Sequence, residues 1–301
     1  MADEADVVWM YTPSFALAVF ASVLYGLVFV YTFYLTVIKY RAWFFLCVVI
    51  GAGVEVAGYA LRCYSIKNPT AVGPFAATLS LIVLAPVLIA AGNYLLIGRL
   101  IRAVLPASTG HRVFGVPARL LTRIFVSSDV LTFFVQAAGS GVASSVDWVG
   151  PTANVGVKIL IGGLALQAVM FLFFLSIFSR FLYLAKRKGL AVGDAPRGWE
   201  KVVVAVYVSS AMILIRCIYR VGEFTEGTEG YAFLHEWMFW VFESLPMLVA
   251  IGVFAVYHPS KYLGRDGGKS KIRTKGVEGG DSEEAATAEL RPRHRRDRSR
   301  N

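Results

Sequence analysis

Residues 14–38 read SFALAVFASVLYGLVFVYTFYLTVI, twenty-five positions without a charged side chain. A hydrocarbon layer about 30 Å thick is crossed by about 20 helical residues, so this run is long enough to span a bilayer. Its apolar character is nearly continuous and does not alternate as a barrel strand would, which leaves the helix as the spanning form. Six further runs of this kind follow, at 42–61, 75–98, 120–143, 156–178, 200–220 and 234–257. Composition agrees: 56% of the chain is AVILMFWYC, 17% is charged, and the mean hydropathy is +0.60. Soluble domains carry about 25% charged residues. The sequence therefore predicts an all-α polytopic membrane protein: a seven-transmembrane-helix bundle over 14–260, a short N-terminal segment 1–13, and a tail 261–301. The sixth run is the weakest, because Arg216 and Arg220 interrupt it. Without it there would be six spans, with both ends on one side.

The first run does not read as a secretory signal, since Asp3, Glu4 and Asp6 stand where such a signal is basic and the apolar core is too long. Orientation is read from Lys and Arg, which favour the cytoplasmic side. With the N-terminus outside, 13 of the 18 basic residues before the tail fall on inner segments. The other five are Arg62, Lys67, Lys158, Arg216 and Arg220. The prediction is an extracellular N-terminus and a cytosolic C-terminus. Beyond Gly264 the chain is rich in Gly, Lys, Arg, Glu and Ser and lacks apolar periodicity, so it reads as disordered. It ends in RPRHRRDRSR at 291–300, either a solvated tail or a contact for anionic inner-leaflet lipid. The formal charge of +10 comes from these loops and this tail, a distribution that argues against nucleic acid as a partner.

Enzymatic readings fail on spacing. GRDGGKS at 264–270 has three residues between Gly264 and Gly268 where a phosphate loop has four, and no strand precedes it. His111, His235, His258 and His294 are scattered, and Cys47, Cys63 and Cys217 show no zinc spacing. A Cys63–Cys217 bridge is conceivable, with buried free thiols the plainer reading. The seventh run has no lysine for a retinal Schiff base. No enzyme activity, metal or cofactor is expected.

The informative residues are polar ones within the spans, which are costly in lipid and so turn inward. Glu55 and Arg62 lie two turns apart on one helical face. Asp129 and Gln136 share the fourth run, and Gln167 sits midway along the fifth. Arg216, Arg220 and Glu223 form one stripe, and the seventh run adds Glu236 and Glu243. Glu55, Arg62, Arg216, Arg220, Glu223 and Glu236 are expected to share the outer half of the bundle, as one polar chamber or as structural ion pairs. No basic residue falls at the depth of Asp129 or Glu243, which points to protonation or to neutralisation of a cationic ligand. Pro86 and Pro246 are expected to kink their helices beside these carboxylates.

These residues resemble the fungal RTA-like family, also called the lipid-translocating exporter family. The matching elements run in order from Tyr11-Thr-Pro13-Ser14 through Glu55-Val-Ala-Gly58-Tyr59-Ala-Leu-Arg62 and Leu84-Ala85-Pro86. Asp129 through Gln136 follows, then Gly163 with Gln167, Arg216-Cys-Ile-Tyr219-Arg220-Val-Gly-Glu223-Phe224, Glu236 and His258-Pro259. This chain departs from the pattern at Glu243, where the family has Asp, and at Gly222, where a larger residue is usual. The resemblance implies a membrane protein without ATPase activity that moves, or confers resistance to, cationic amphiphiles such as sphingoid long-chain bases, at the plasma membrane of a fungal cell. Some members are linked to haem or porphyrin traffic. Taken with the chemistry, it assigns Asp129 and Glu243, flanked by Gln136 and Gln167, to the head group or a proton. It assigns Glu55, Arg62, Arg216, Arg220, Glu223 and Glu236 to a polar gate. A seven-helix receptor or lipid sensor that binds without moving its ligand is the alternative.

Overall fold

The structure is a computed structural model, and it describes residues 9, 11–104, 112–113, 116–146, 150–186, 198–227 and 230–263. The tail beyond Leu263, and with it the expected inner-leaflet contact of 291–300, lies outside the described residues. Seven helical segments are long and apolar enough to cross a membrane. They are α1 (Phe15–Phe33), α2 (Leu46–Lys67), α3 (Val72–Val104), α4 (Ala118–Ser144), α5 (Gly150–Lys186), α6 (Trp199–Glu226) and a composite seventh. After the short α7 (Tyr231–Leu234), that seventh span starts as α8 (Glu236–Met238), passes through a π-helical stretch Phe239–Ser244, and continues as α9 (Leu245–Val256) and α10 (Pro259–Leu263). Between α3 and α4, Arg112–Val113 pairs antiparallel with Val116–Pro117.

Most spans overrun the expected apolar limits. Val72–Val104 replaces 75–98 and Gly150–Lys186 replaces 156–178. Backbone hydrogen bonding need not stop at the lipid boundary, so a helix continues into polar residues until a breaker or cap ends it. The sixth span is intact over 28 residues despite its arginines. Its charges are answered from the seventh span, a tertiary fact that hydropathy cannot register.

Neighbours in sequence pack as neighbours in space, and α1 also packs on α9, closing the ring. α3 touches α6 and α9 besides its sequence neighbours, so it runs closest to the centre. α4 and α5 meet through Gly139 and Gly156: a Cβ on Gly139 would lie 2.6 Å from the Leu160 nitrogen and 2.7 Å from the Gly156 carbonyl. Only glycine permits that backbone approach, and close approach is what holds helices together where the solvent is itself apolar. The three cysteines are free.

Candidate polar site inside the helix bundle

Each proline frees a carbonyl by lacking the N–H that would bond four residues back. Pro86 lies within α3, and the carbonyl so released belongs to Ile82. The Arg216 Nη2 donates to it at 3.0 Å, so the proline creates the acceptor that anchors an arginine from α6. In the seventh span the π-helical stretch ends at Ser244, two residues before Pro246, and carries Glu243, which is buried.

Glu243 Oε1 accepts from Arg216 Nη2 at 2.8 Å and from Arg220 Nη2 at 2.6 Å. Arg220 Nη1 also donates to Glu223 at 3.0 Å, and the Tyr219 hydroxyl donates to the other Glu223 oxygen at 3.2 Å. The α6 stripe therefore closes onto the seventh span as one buried cluster. This corrects the expectation for Glu243. It has two basic partners, because the arginines reach down one helix face toward a residue that spacing alone had placed at a different depth.

A second cluster forms at the end of the bundle where α1 begins. Arg62 Nη2 donates to the Tyr11 hydroxyl at 2.8 Å and to Glu236 Oε1 at 3.2 Å. The other Glu236 oxygen accepts the Ser14 backbone N–H at 2.9 Å. The Arg62 guanidinium lies over the rings of Trp9 at 4.7 Å and Phe239 at 4.4 Å, so desolvation is offset partly by ring faces. Between the two clusters, one turn from both Glu55 and Arg62 on the same face of α2, stands Tyr59. It stacks on Tyr25 at 4.8 Å and on Trp240 at 5.9 Å. Of the two arrangements expected, one chamber or structural ion pairs, the second describes five of the six gate residues: Arg62, Arg216, Arg220, Glu223 and Glu236 fall into two ion-paired groups with an aromatic layer between them.

Two carboxylates stand apart from this pairing. Asp129 is 1% exposed, and one oxygen accepts from the Tyr94 hydroxyl at 2.7 Å while the other has no partner. Tyr94 is held there by Phe125, Phe171 and Phe174, with ring centroids 4.5–6.2 Å away. Glu55 is also 1% exposed, and neither of its oxygens has a hydrogen-bond partner. It feels the charges of Arg216, Arg220 and Glu243 without bonding to any of them. It is also unpaired with Arg62, which corrects the expectation that both belong to one ion-pair network: Glu236 and Tyr11 already hold that guanidinium. Gln136 and Gln167 do meet, at 2.8 Å, across α4 and α5. Tyr11 and Tyr94 stand in the elements that carry the family resemblance, but the sequence assigns neither a role in the site; Trp9 and Ile82 are not signalled at all, since their roles depend on ring and backbone contacts with distant arginines.

Among the described residues, no group of three His, Cys, Asp or Glu side chains could hold a metal ion. The family model described as "RTA1 like protein" matches residues 48–266, which takes in the Arg216–Arg220–Glu223–Glu243 cluster, Arg62 and Glu236 of the second cluster, and both unpaired carboxylates, but not Trp9, Tyr11 or Ser14. This chain belongs to the RTA1-like family. The chain is 36% identical to protoporphyrin uptake protein 1 of Saccharomyces cerevisiae over 206 residues, covering 68% of this chain and 65% of that one. It is 27% identical to the probable lipid transporter atnI of Emericella nidulans, covering 84% and 68%. It is 26% identical to the sphingoid long-chain base transporter RSB1 of Saccharomyces cerevisiae, covering 72% and 64%. It thus spans about two thirds of the length of these RTA1-like relatives. No solved structure matches it.

Proposed function

We propose that this protein moves a cationic amphiphile, of the kind a sphingoid long-chain base represents, between the leaflets of a fungal plasma membrane, without hydrolysing ATP. The observation that carries the proposal is the pair of buried carboxylates, Glu55 and Asp129, that no arginine or lysine among the described residues neutralises. A lone carboxylate in a lipid-surrounded interior is costly, and a protonated or quaternary amine offsets that cost. Glu243 keeps a place as the acceptor that positions Arg216 and Arg220, and Gln136 and Gln167, paired across α4 and α5, are kept as polar groups of the substrate path. The two ion-paired groups act as gates, with Pro86 and Pro246 at the helix interruptions where those gates would move. Relatives named for lipid and sphingoid-base transport support this substrate class.

Porphyrin traffic, suggested by another relative's name, fits less well. Protoporphyrin carries two carboxylates and would need free cations, whereas Arg62, Arg216 and Arg220 are each already paired. The proposal includes an outside N-terminus, so that the Arg62–Glu236 cluster lies toward the outer leaflet. In a cysteine-free background, Thr70→Cys should react with an impermeant maleimide on intact cells, and Arg41→Cys only after permeabilisation; the reverse pattern rejects this orientation.

Transport itself is tested with purified protein in sealed vesicles. The probe is a fluorescent single-chain amphiphile with a trimethylammonium head, which cannot cross by shedding a proton. Flipping faster than in empty vesicles supports the proposal. Binding without flipping transfers support to the sensor reading.

A further inference from the structure

The cluster between α2, α6 and the seventh span does not balance its charges. Glu55, Glu223 and Glu243 face Arg216 and Arg220, and the pairing leaves Glu55 as the carboxylate in excess. The unpartnered atoms concentrate there too: both Glu55 oxygens, Glu243 Oε2, and the Nε atoms of Arg216 and Arg220. Buried polar atoms in native proteins are nearly always satisfied by protein, water or ligand, so these five leave bonding capacity for water or an entering polar head group at one place. Every element packed around Glu55 can be accounted for. α1 presents Tyr25, whose hydroxyl is committed to the Ser244 carbonyl at 2.6 Å. α6 presents Arg216 and Arg220, the seventh span Glu243, and α2 itself Tyr59 and Arg62. α3 lies against α2 through Ile82, Ala85 and Ile89, none of them titratable. No fixed cation is left to hold Glu55 ionised.

We infer that Glu55 is a proton–amine exchange site, an inference that rests on the transport reading above. Without ligand, the Glu55 carboxyl carries a proton and the cluster is neutral. When a cationic head group enters, the O–H bond breaks, the proton leaves to water, and the carboxylate pairs with the ammonium. One positive charge replaces another, so the lipid-surrounded interior never holds a net charge. Movement of the amphiphile is thereby coupled to proton movement in the opposite direction, and a proton gradient can drive it without ATP.

The test measures proton release on binding, separately from transport. Protein in nanodiscs, in weakly buffered solution with a pH indicator, is titrated with the trimethylammonium amphiphile. Up to about one proton should appear per probe bound. Glu55→Gln should release none and bind the probe at least about tenfold more weakly, whereas Glu55→Asp should restore release. The inference is overturned if the wild type binds without releasing protons, or if Glu55→Gln releases them as the wild type does. Vesicle flipping with normal rate but no proton release removes the exchange and leaves the transport reading standing. Proton release without flipping does the reverse.

Discussion

The geometry around Glu243 makes a double-substitution experiment decisive. In Glu243→Gln the buried anion shared by two guanidiniums disappears. Breaking a buried ion pair by removing one partner costs about 3–5 kcal/mol, because the other charge is stranded. The loss is unequal here. Arg220 keeps Glu223 at 3.0 Å, whereas Arg216 keeps only the neutral Ile82 carbonyl. Arg216 nonetheless has Glu55 within electrostatic reach, an unpartnered carboxyl able to ionise and take the vacated role. The single substitution should therefore cost only about 1–3 kcal/mol. Glu55→Gln alone, which removes an unpaired buried acid, should be near neutral or slightly stabilising. In the double substitution Arg216 has no rescuer and the full penalty of about 3–5 kcal/mol returns, giving a coupling energy of about 2 kcal/mol. Reversible unfolding in mixed micelles measures all four species. Effects that add to within about 0.5 kcal/mol would refute the shared-cluster reasoning.

Two other substitutions probe the remaining polar and packing features. Tyr94→Phe removes the single hydrogen-bond partner of Asp129 and should destabilise the bundle by about 1–3 kcal/mol in the same unfolding assay; no loss would refute a structural role for that hydrogen bond. Gly139→Leu drives a side chain into the α5 backbone, 2.6 Å from the Leu160 nitrogen, and should lower the amount of folded protein recovered by size-exclusion chromatography. Gly141→Ala, at a position with open space around it, should leave that recovery unchanged.

The division between what the sequence shows and what only the structure shows follows from range. Hydropathy is a local sum, so all seven spans are visible from runs such as 14–38, and charged residues within them are conspicuous because lipid makes them costly. Pairing is not local. Arg216 and Glu243 are 27 positions apart, and Arg62 and Glu236 are 174 apart. A helical wheel places each on a face but gives no axial offset between helices, which is why Glu243 was expected to lack a cation. The π-helical stretch before Pro246 adds to the difficulty, since it rotates the face that a regular helix would present. Pro86 was readable as an interruption, but its consequence, an acceptor at Ile82 for Arg216, required knowing that α6 packs on α3. Tyr94 illustrates the opposite limit. It is one tyrosine among 14, marked in the sequence only as a family-like position, and its hydrogen bond to Asp129 is what gives it a role.

The proposed chemistry comes down to whether a positive head group is favoured inside the bundle. Two amphiphiles with the same chain and fluorophore, one ending in trimethylammonium and one in a neutral hydroxyl, are titrated against the protein in nanodiscs made of uncharged lipid. Cation selectivity of at least about tenfold is predicted, falling toward parity when Glu55→Gln and Asp129→Asn are combined. Equal affinity for both head groups in the unaltered protein, or selectivity that survives the double substitution, contradicts it.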